Sequence, residues 1–145
     1  MRLTTKGRYA VMAMADIAAN CCGRPVTLAD IADRQSISLS YLEQLFCKLR
    51  RQGLVQSARG PGGGYRLARS PEETRITDII QAVDEPVLGC RDAGEPGGDV
   101  TDVLWTALAR EIERFLDSVS LADLSNGRLA RELLAAEPRR VAVGE

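Results

Sequence analysis

The chain has 145 residues, 45% hydrophobic and 27% charged, with a formal net charge of −1, the size and balance of one globular domain or of a small domain with a dimerisation element. It holds no histidine, which excludes a serine-hydrolase triad and a His-ligated zinc site within the chain and argues against an enzyme. No stretch approaches the roughly 18 apolar residues that span a membrane, so no membrane association is expected.

MRLTTK at the N-terminus leads into no signal-peptide apolar core, and cytoplasmic residence is expected. Arg8–Asn20 is almost wholly apolar and free of Gly and Pro, which predicts a buried helix. Gly23 and Pro25 lie just past its end. Thr27 opens a second short helix as its cap, with Asp30 near the positive end of the helix dipole and Leu28, Ile31 and Ala32 facing inward. From Ser38 to Arg51, Leu42, Leu45, Phe46 and Leu49 follow i, i+3, i+4, i+7, an amphipathic helix that Gly53 terminates. Leu54–Ala58 and Tyr65–Leu67 read as two strands joined by the turn-rich Arg59–Gly64. Helix, helix, helix, hairpin is the order of a winged helix-turn-helix. The expected fold class is therefore mainly α with a small β-hairpin wing, followed by a long dimerisation helix.

Ile76–Val83 is a short helix with Ile76, Ile79, Ile80 and Val83 on one side. Residues 86–100 hold four glycines and two prolines and show no periodicity. A loop of this length in a compact chain is functional or disordered. A long helix from about Thr101 to Val119 carries Leu104, Leu108, Ile112, Phe115 and Val119 as a stripe, widened by Trp105 and Leu116. That stripe suits a homodimer interface or packing against the chain's own wing domain. A weaker helical segment covers Leu121–Ala136, and 137–145 is expected to be a flexible tail.

The small net charge conceals an asymmetry: 11 Lys and Arg against 4 Asp and Glu in residues 1–69, and 8 against 16 in 70–145. A basic half is the footprint of a phosphate-binding module, though surface charges also segregate without function. On the helix ending at Arg51, the face opposite Leu42 holds Ser40, Glu43, Gln44, Cys47 and Arg51. Gln44 suits adenine, Glu43 accepts from cytosine N4, and Ser40 takes either role. Tyr41 and Lys48 flank this face and suit phosphate contacts, and Ser38 marks the amide-rich helix start. An ordinary solvated face has the same pattern. Arg59 on the slim glycine tip, with Gly60 beside it, suits a narrow minor groove. Lys6 belongs to the same basic half and joins the DNA-facing set. No Lys-Ser/Thr follows the glycines, which argues against a phosphate-binding loop of the nucleotide-hydrolase kind.

MRLTTKGRYAVMAMADIA, ISLSYLEQLFCKLR and the wing GLVQSARGPGGGYRLAR resemble the IscR-like family of bacterial iron–sulfur cluster regulators, within a wider family of winged-helix regulators. The likeness continues through TDIIQAVDEP and LWTALAREIERFLDSVSLADL to about Asn126, and RGPGGGY is its most specific run. The resemblance implies a dimeric repressor or activator of iron–sulfur assembly and iron-homeostasis genes, binding double-stranded DNA at a palindromic operator, with a 2Fe-2S cluster in the loop before the dimer helix. The chain then divides into a DNA-binding domain (1–70), a connecting helix (71–85), a Gly-rich sensor loop (86–100), dimerisation helices (101–136) and a tail (137–145).

One departure matters. The family pattern has three cysteines and a histidine in that loop and helix start. Here the loop has only Cys90, Asp102 takes the histidine position, and Asp92, Glu95 and Asp99 lie nearby. Cys90 and Asp102 are the candidate iron ligands. A cluster needs about four ligands, normally thiolates, so the set is completed by a second subunit's Cys90, a small thiol or a carboxylate, or the protein is cluster-free. Cys21 and Cys22 are adjacent, which strains a disulfide. Cys47 on the DNA-facing side is a small filler or a redox-sensitive thiol. Nitric oxide or a thiol metabolite as signal, and a winged-helix protein-interaction module, stay open as alternatives.

Overall fold

The computed structural model describes residues 5–20, 23–83 and 100–136. The order is α1 (Thr5–Asn20), α2 (Leu28–Gln35), α3 (Leu39–Arg51), β1 (Val55–Ala58), β2 (Gly64–Leu67), α4 (Ile76–Val83), α5 (Val100–Ser118), α6 (Leu121–Ser125) and α7 (Arg128–Ala136). Three helices followed by a hairpin form the winged helix-turn-helix expected from the periodicity. Local chemistry sets the helix ends. The Thr27 hydroxyl accepts from the Asp30 amide at 3.1 Å, and the Ser38 hydroxyl accepts from the Tyr41 amide at 3.2 Å, each satisfying a free donor of a first turn. Gly53, at φ +73°, lets the chain leave α3 and enter the wing.

The strands pair antiparallel with Val55 opposite Leu67 and Ser57 opposite Tyr65. A third segment joins them. The Val26 amide donates to the Tyr65 carbonyl at 2.8 Å, and the Tyr65 amide donates back to Val26 at 2.7 Å. The residue ahead of α2 thus adds a one-residue strand to the wing, which sequence periodicity does not reveal.

One apolar cluster joins Ala13, Met14 and Ile17 of α1, Ile31 of α2, Leu42, Leu45, Phe46 and Leu49 of α3, Val55 of β1, and Ile76, Ile79 and Ile80 of α4. Val119 and Leu121, beyond α5, enter the same cluster. The segment 121–136, expected as one helix, is two. Gly127 at φ +72° ends the first, because a left-handed residue breaks the hydrogen-bond ladder. Ser120 and Asp123 close a capping box at the start of α6, and the Arg75–Ser120 bridge ties this corner to α4.

Among the described residues one charged group lies inside. The Asp16 side chain is 1% exposed. It accepts from Arg34 Nε at 3.0 Å, from Arg34 Nη2 at 2.6 Å and from Gln35 Nε2 at 2.9 Å. Burial disfavours its charge, but the Arg34 and Gln35 hydrogen bonds outweigh that, and the carboxyl is held below the usual carboxylate range. The network clamps the end of α2 onto α1.

Asp16→Asn keeps the shape and removes the charge. It is expected to cost about 1–3 kcal/mol at neutral pH, given charge-assisted hydrogen bonds and the solvent exposure of Arg34. Because the folded carboxyl titrates lower than the unfolded one, this stability is complete above pH about 4 and is lost as pH falls through the folded value. Chemical denaturation across pH checks both the size and the narrowing gap between the two proteins in acid.

Candidate nucleic-acid interface

α3 divides cleanly. Leu42, Leu45, Phe46 and Leu49 are buried, while Ser40, Glu43, Gln44 and Arg51 are exposed. With 3.6 residues per turn the exposed four share the outer face. Gln44 offers a donor and an acceptor, Glu43 two acceptors, Ser40 a hydroxyl and Arg51 a planar guanidinium. Cys47 is a half-buried free thiol on the same side.

The flanking residues are committed elsewhere. The Tyr41 ring is half-buried and stands edge-on to Tyr9 of α1, centroids 5.7 Å apart and planes 84° apart. That contact holds the start of α3 to α1. Ser38 caps the helix and lies 3.1 Å from the Ser40 hydroxyl. Lys48 Nζ donates to the Val83 carbonyl at 3.3 Å. Lys6 is exposed in the first turn of α1.

Arg59 and Gly60 are exposed at the wing tip. The turn is built for glycine. Gly60 and Gly62 have φ of +97° and +75°, where a side chain is strained, and the Gly63 amide donates to the Gly60 carbonyl at 2.8 Å. At Gly64 the reason is contact. A Cβ there would lie 2.5 Å from the Val26 carbonyl oxygen, because the wing backbone passes directly against the segment before α2. The next residue, Tyr65, stacks edge-on with Phe46 of α3, centroids 4.9 Å apart. Wing and α3 are thereby joined through an aromatic contact.

Sequence reasoning did not single out Gly64, Tyr65 or Val26 as the parts that set the wing against α3. No periodic signal marks them, since Val26 is an isolated bridge. It also passed over Arg24, Arg50, Arg66 and Arg69, all exposed. Arg66 had a signal, for it alternates with Tyr65 and Leu67 at the strand period of two.

Cys90 and most of the segment 86–100 lie outside the described residues, as do Cys21, Cys22 and the tail. Asp102 is exposed in the first turn of α5. Among the described residues no group of three or more His, Cys, Asp or Glu side chains is placed to hold a metal, and no helix is long and apolar enough to cross a membrane. α5 leaves its apolar stripe uncovered: Leu104 is 60% exposed, Trp105 59% and Phe115 56%. Ala109 is its only residue buried among those described. Beside Phe115, an apolar groove of about 300 Å³ runs between α1, α4 and the α6–α7 corner, lined in part by Val11, Met12, Ile80, Leu124 and Leu129.

Comparison with known proteins agrees with this geometry. Residues 3–127 match the Rrf2 family model, described as an iron-dependent transcriptional regulator. The helix-turn-helix-type transcriptional regulator IscR of Aliivibrio salmonicida is 53% identical over 129 residues, covering 86% of this chain and 77% of the relative. The solved structure of T. potens IscR superposes with a TM-score of 0.75 at 38% identity, covering 96% of this chain and 93% of that one. CymR, the global cysteine regulator of B. subtilis, superposes with a TM-score of 0.75 at 34% identity, covering 87% and 97%.

Two substitutions separate contact from support. Arg59→Ala is expected to weaken DNA binding by about 1–3 kcal/mol and to leave the melting temperature unchanged. Gly64→Ala forces a methyl against backbone and is expected to cost about 1–3 kcal/mol of folding stability along with affinity. Gel-shift titration at fixed salt, paired with thermal melts, distinguishes them.

Proposed function

The chain belongs to the Rrf2 family of DNA-binding transcriptional regulators, and we propose that it acts as a homodimer reading a palindromic, two-fold operator in double-stranded DNA. The observation that carries this reading is α3, buried on one face and polar on the other, joined through Tyr65 to a glycine wing that bears Arg59. Gln44, Glu43 and Ser40 contact base edges in the major groove. Arg51 and Lys6 neutralise phosphates. Arg59 enters the minor groove, and Gly60 allows the backbone close. Ser38 and Tyr41 set the start of the helix.

The exposed apolar stripe of α5 supports the homodimer. An apolar face of this length at the surface is covered by a partner, and two recognition helices placed by a two-fold axis match a palindrome. Leu104→Glu puts a charge into that interface. It is expected to raise the dimer dissociation constant roughly 100-fold, about 2.7 kcal/mol, and to abolish operator binding at low protein concentration. Analytical ultracentrifugation checks this. A monomeric wild type footprinting an asymmetric half-site would overturn the reading.

The signal is the finer part of the proposal. The family description and the IscR relatives support control of iron–sulfur assembly and iron-homeostasis genes through an iron-linked cofactor near Cys90. The donors near the loop fall short of a thiolate and imidazole set for a 2Fe-2S cluster: the chain has no histidine and residues 86–100 hold a single cysteine, Cys90, while Asp102 stands exposed in the first turn of α5. About four ligands are needed, so the set would be completed by a second subunit's Cys90, a small thiol or a carboxylate. This shortfall favours a second reading, a cluster-free regulator answering to a thiol metabolite or nitric oxide; CymR, a fold neighbour, is named a cysteine regulator. Anaerobic purification decides between them. On the iron-linked reading, Cys90→Ala loses iron and visible absorption while Cys47→Ala keeps both. A colourless, iron-free wild type establishes the second.

A further inference from the structure

The described part of α4 runs to Val83, where the carbonyls point toward the negative end of the helix dipole. Its own last turn has no basic residue. The missing cation comes from 35 residues away, where Lys48 of α3 donates from Nζ to the Val83 carbonyl at 3.3 Å. Lys48 is one of three basic residues in the last turn of α3, with Arg50 and Arg51. On the helical wheel it lies at the border between the outer face and the core. α3 and α4 are in direct contact, and α4 packs in turn on α1 and α5. The connecting helix therefore stands between the DNA-reading helix and the helix with the uncovered apolar stripe.

We propose that Lys48 is a positioning residue: it holds the recognition helix to the carbonyl end of α4 and so sets its attitude toward DNA. The proposal rests on α3 being the DNA-reading helix. A lysine suits the task, being a compact charge on a flexible stem that meets one carbonyl well, and cations near a helix C-terminus stabilise it. An ammonium engaged here is withdrawn from the phosphate backbone, so Lys48 sets the attitude of α3 without neutralising DNA charge.

The test uses the full chain and a duplex selected by the wild type from a random pool, titrated across a salt series. Lys48→Met is expected to weaken binding about tenfold, the loss of a charged hydrogen bond, with the slope of log affinity against log salt unchanged. Lys48→Arg, which restores a donor, is expected to recover most of the affinity. A slope reduced by roughly 0.9 identifies Lys48 as a phosphate contact and overturns the proposal, as does unchanged affinity in Lys48→Met. Thermal melts confirm that each variant is folded at the assay temperature, and Lys48→Gln serves as a second donor-altered variant. Absence of salt-dependent binding by the wild type would instead defeat the DNA-binding reading of α3.

Discussion

Phe46 is the largest fully buried side chain among the described residues, and its contact with Tyr65 is the interaction around which the rest is arranged. Phe46 belongs to α3, and Tyr65 belongs to the wing. The backbone of Tyr65 pairs on one side with Ser57 and on the other with Val26, ahead of α2. One aromatic contact thus gathers α3, both strands and the entry to α2. For a protein that reads a duplex this is a geometric necessity. A recognition helix and a wing contribute to one site only if the angle between them is set before DNA arrives, because ordering them on binding would subtract from affinity.

α3 is held on other sides by different means. At its start, the Tyr9–Tyr41 edge contact fixes it to α1. Near its end, Lys48 fastens it to α4. Behind it, the Asp16 carboxylate with Arg34 and Gln35 locks α2 to α1. Only the carboxylate of this pair is buried, and Arg34 stays partly in solvent, so the Coulomb attraction itself adds modestly to stability. What it supplies is a defined orientation, since its hydrogen bonds are met in one arrangement of the two helices. The outer face of α3 is then left with Ser40, Glu43, Gln44 and Arg51, side chains that can meet either water or a base edge.

The far half of the chain has the opposite economy. α5 is long and amphipathic, yet the described part of the chain buries little of it, and α7 exposes Leu133 and Leu134 as well. Burying such surface is the dominant favourable term in association, which is the physical basis of the homodimer proposed above. The loss of cysteine and histidine from the region before α5 sets this chain apart from the ligand pattern its resemblance implies.

Much of this was legible in the sequence. Helical period gave α3, α4 and α5 to within a residue or so and α1 from Arg8 rather than Thr5, capping side chains marked α2 and α3, and glycines outlined the wing. The same period assigned Leu42, Leu45, Phe46 and Leu49 to the core and Ser40, Glu43, Gln44 and Arg51 to the outside, because burial along one helix repeats with its own turn. The break at Gly127 was missed, since glycine inside a helical pattern signals a stop only when its φ is known. The Val26 bridge to Tyr65, the clearance at Gly64, the Asp16–Arg34 clamp and the Lys48–Val83 hydrogen bond were decided by the tertiary structure alone. Each joins residues far apart in the chain, and their meeting depends on how whole helices pack. Periodicity describes which face of an element is apolar; it does not state which distant atom that face, or its border, will touch.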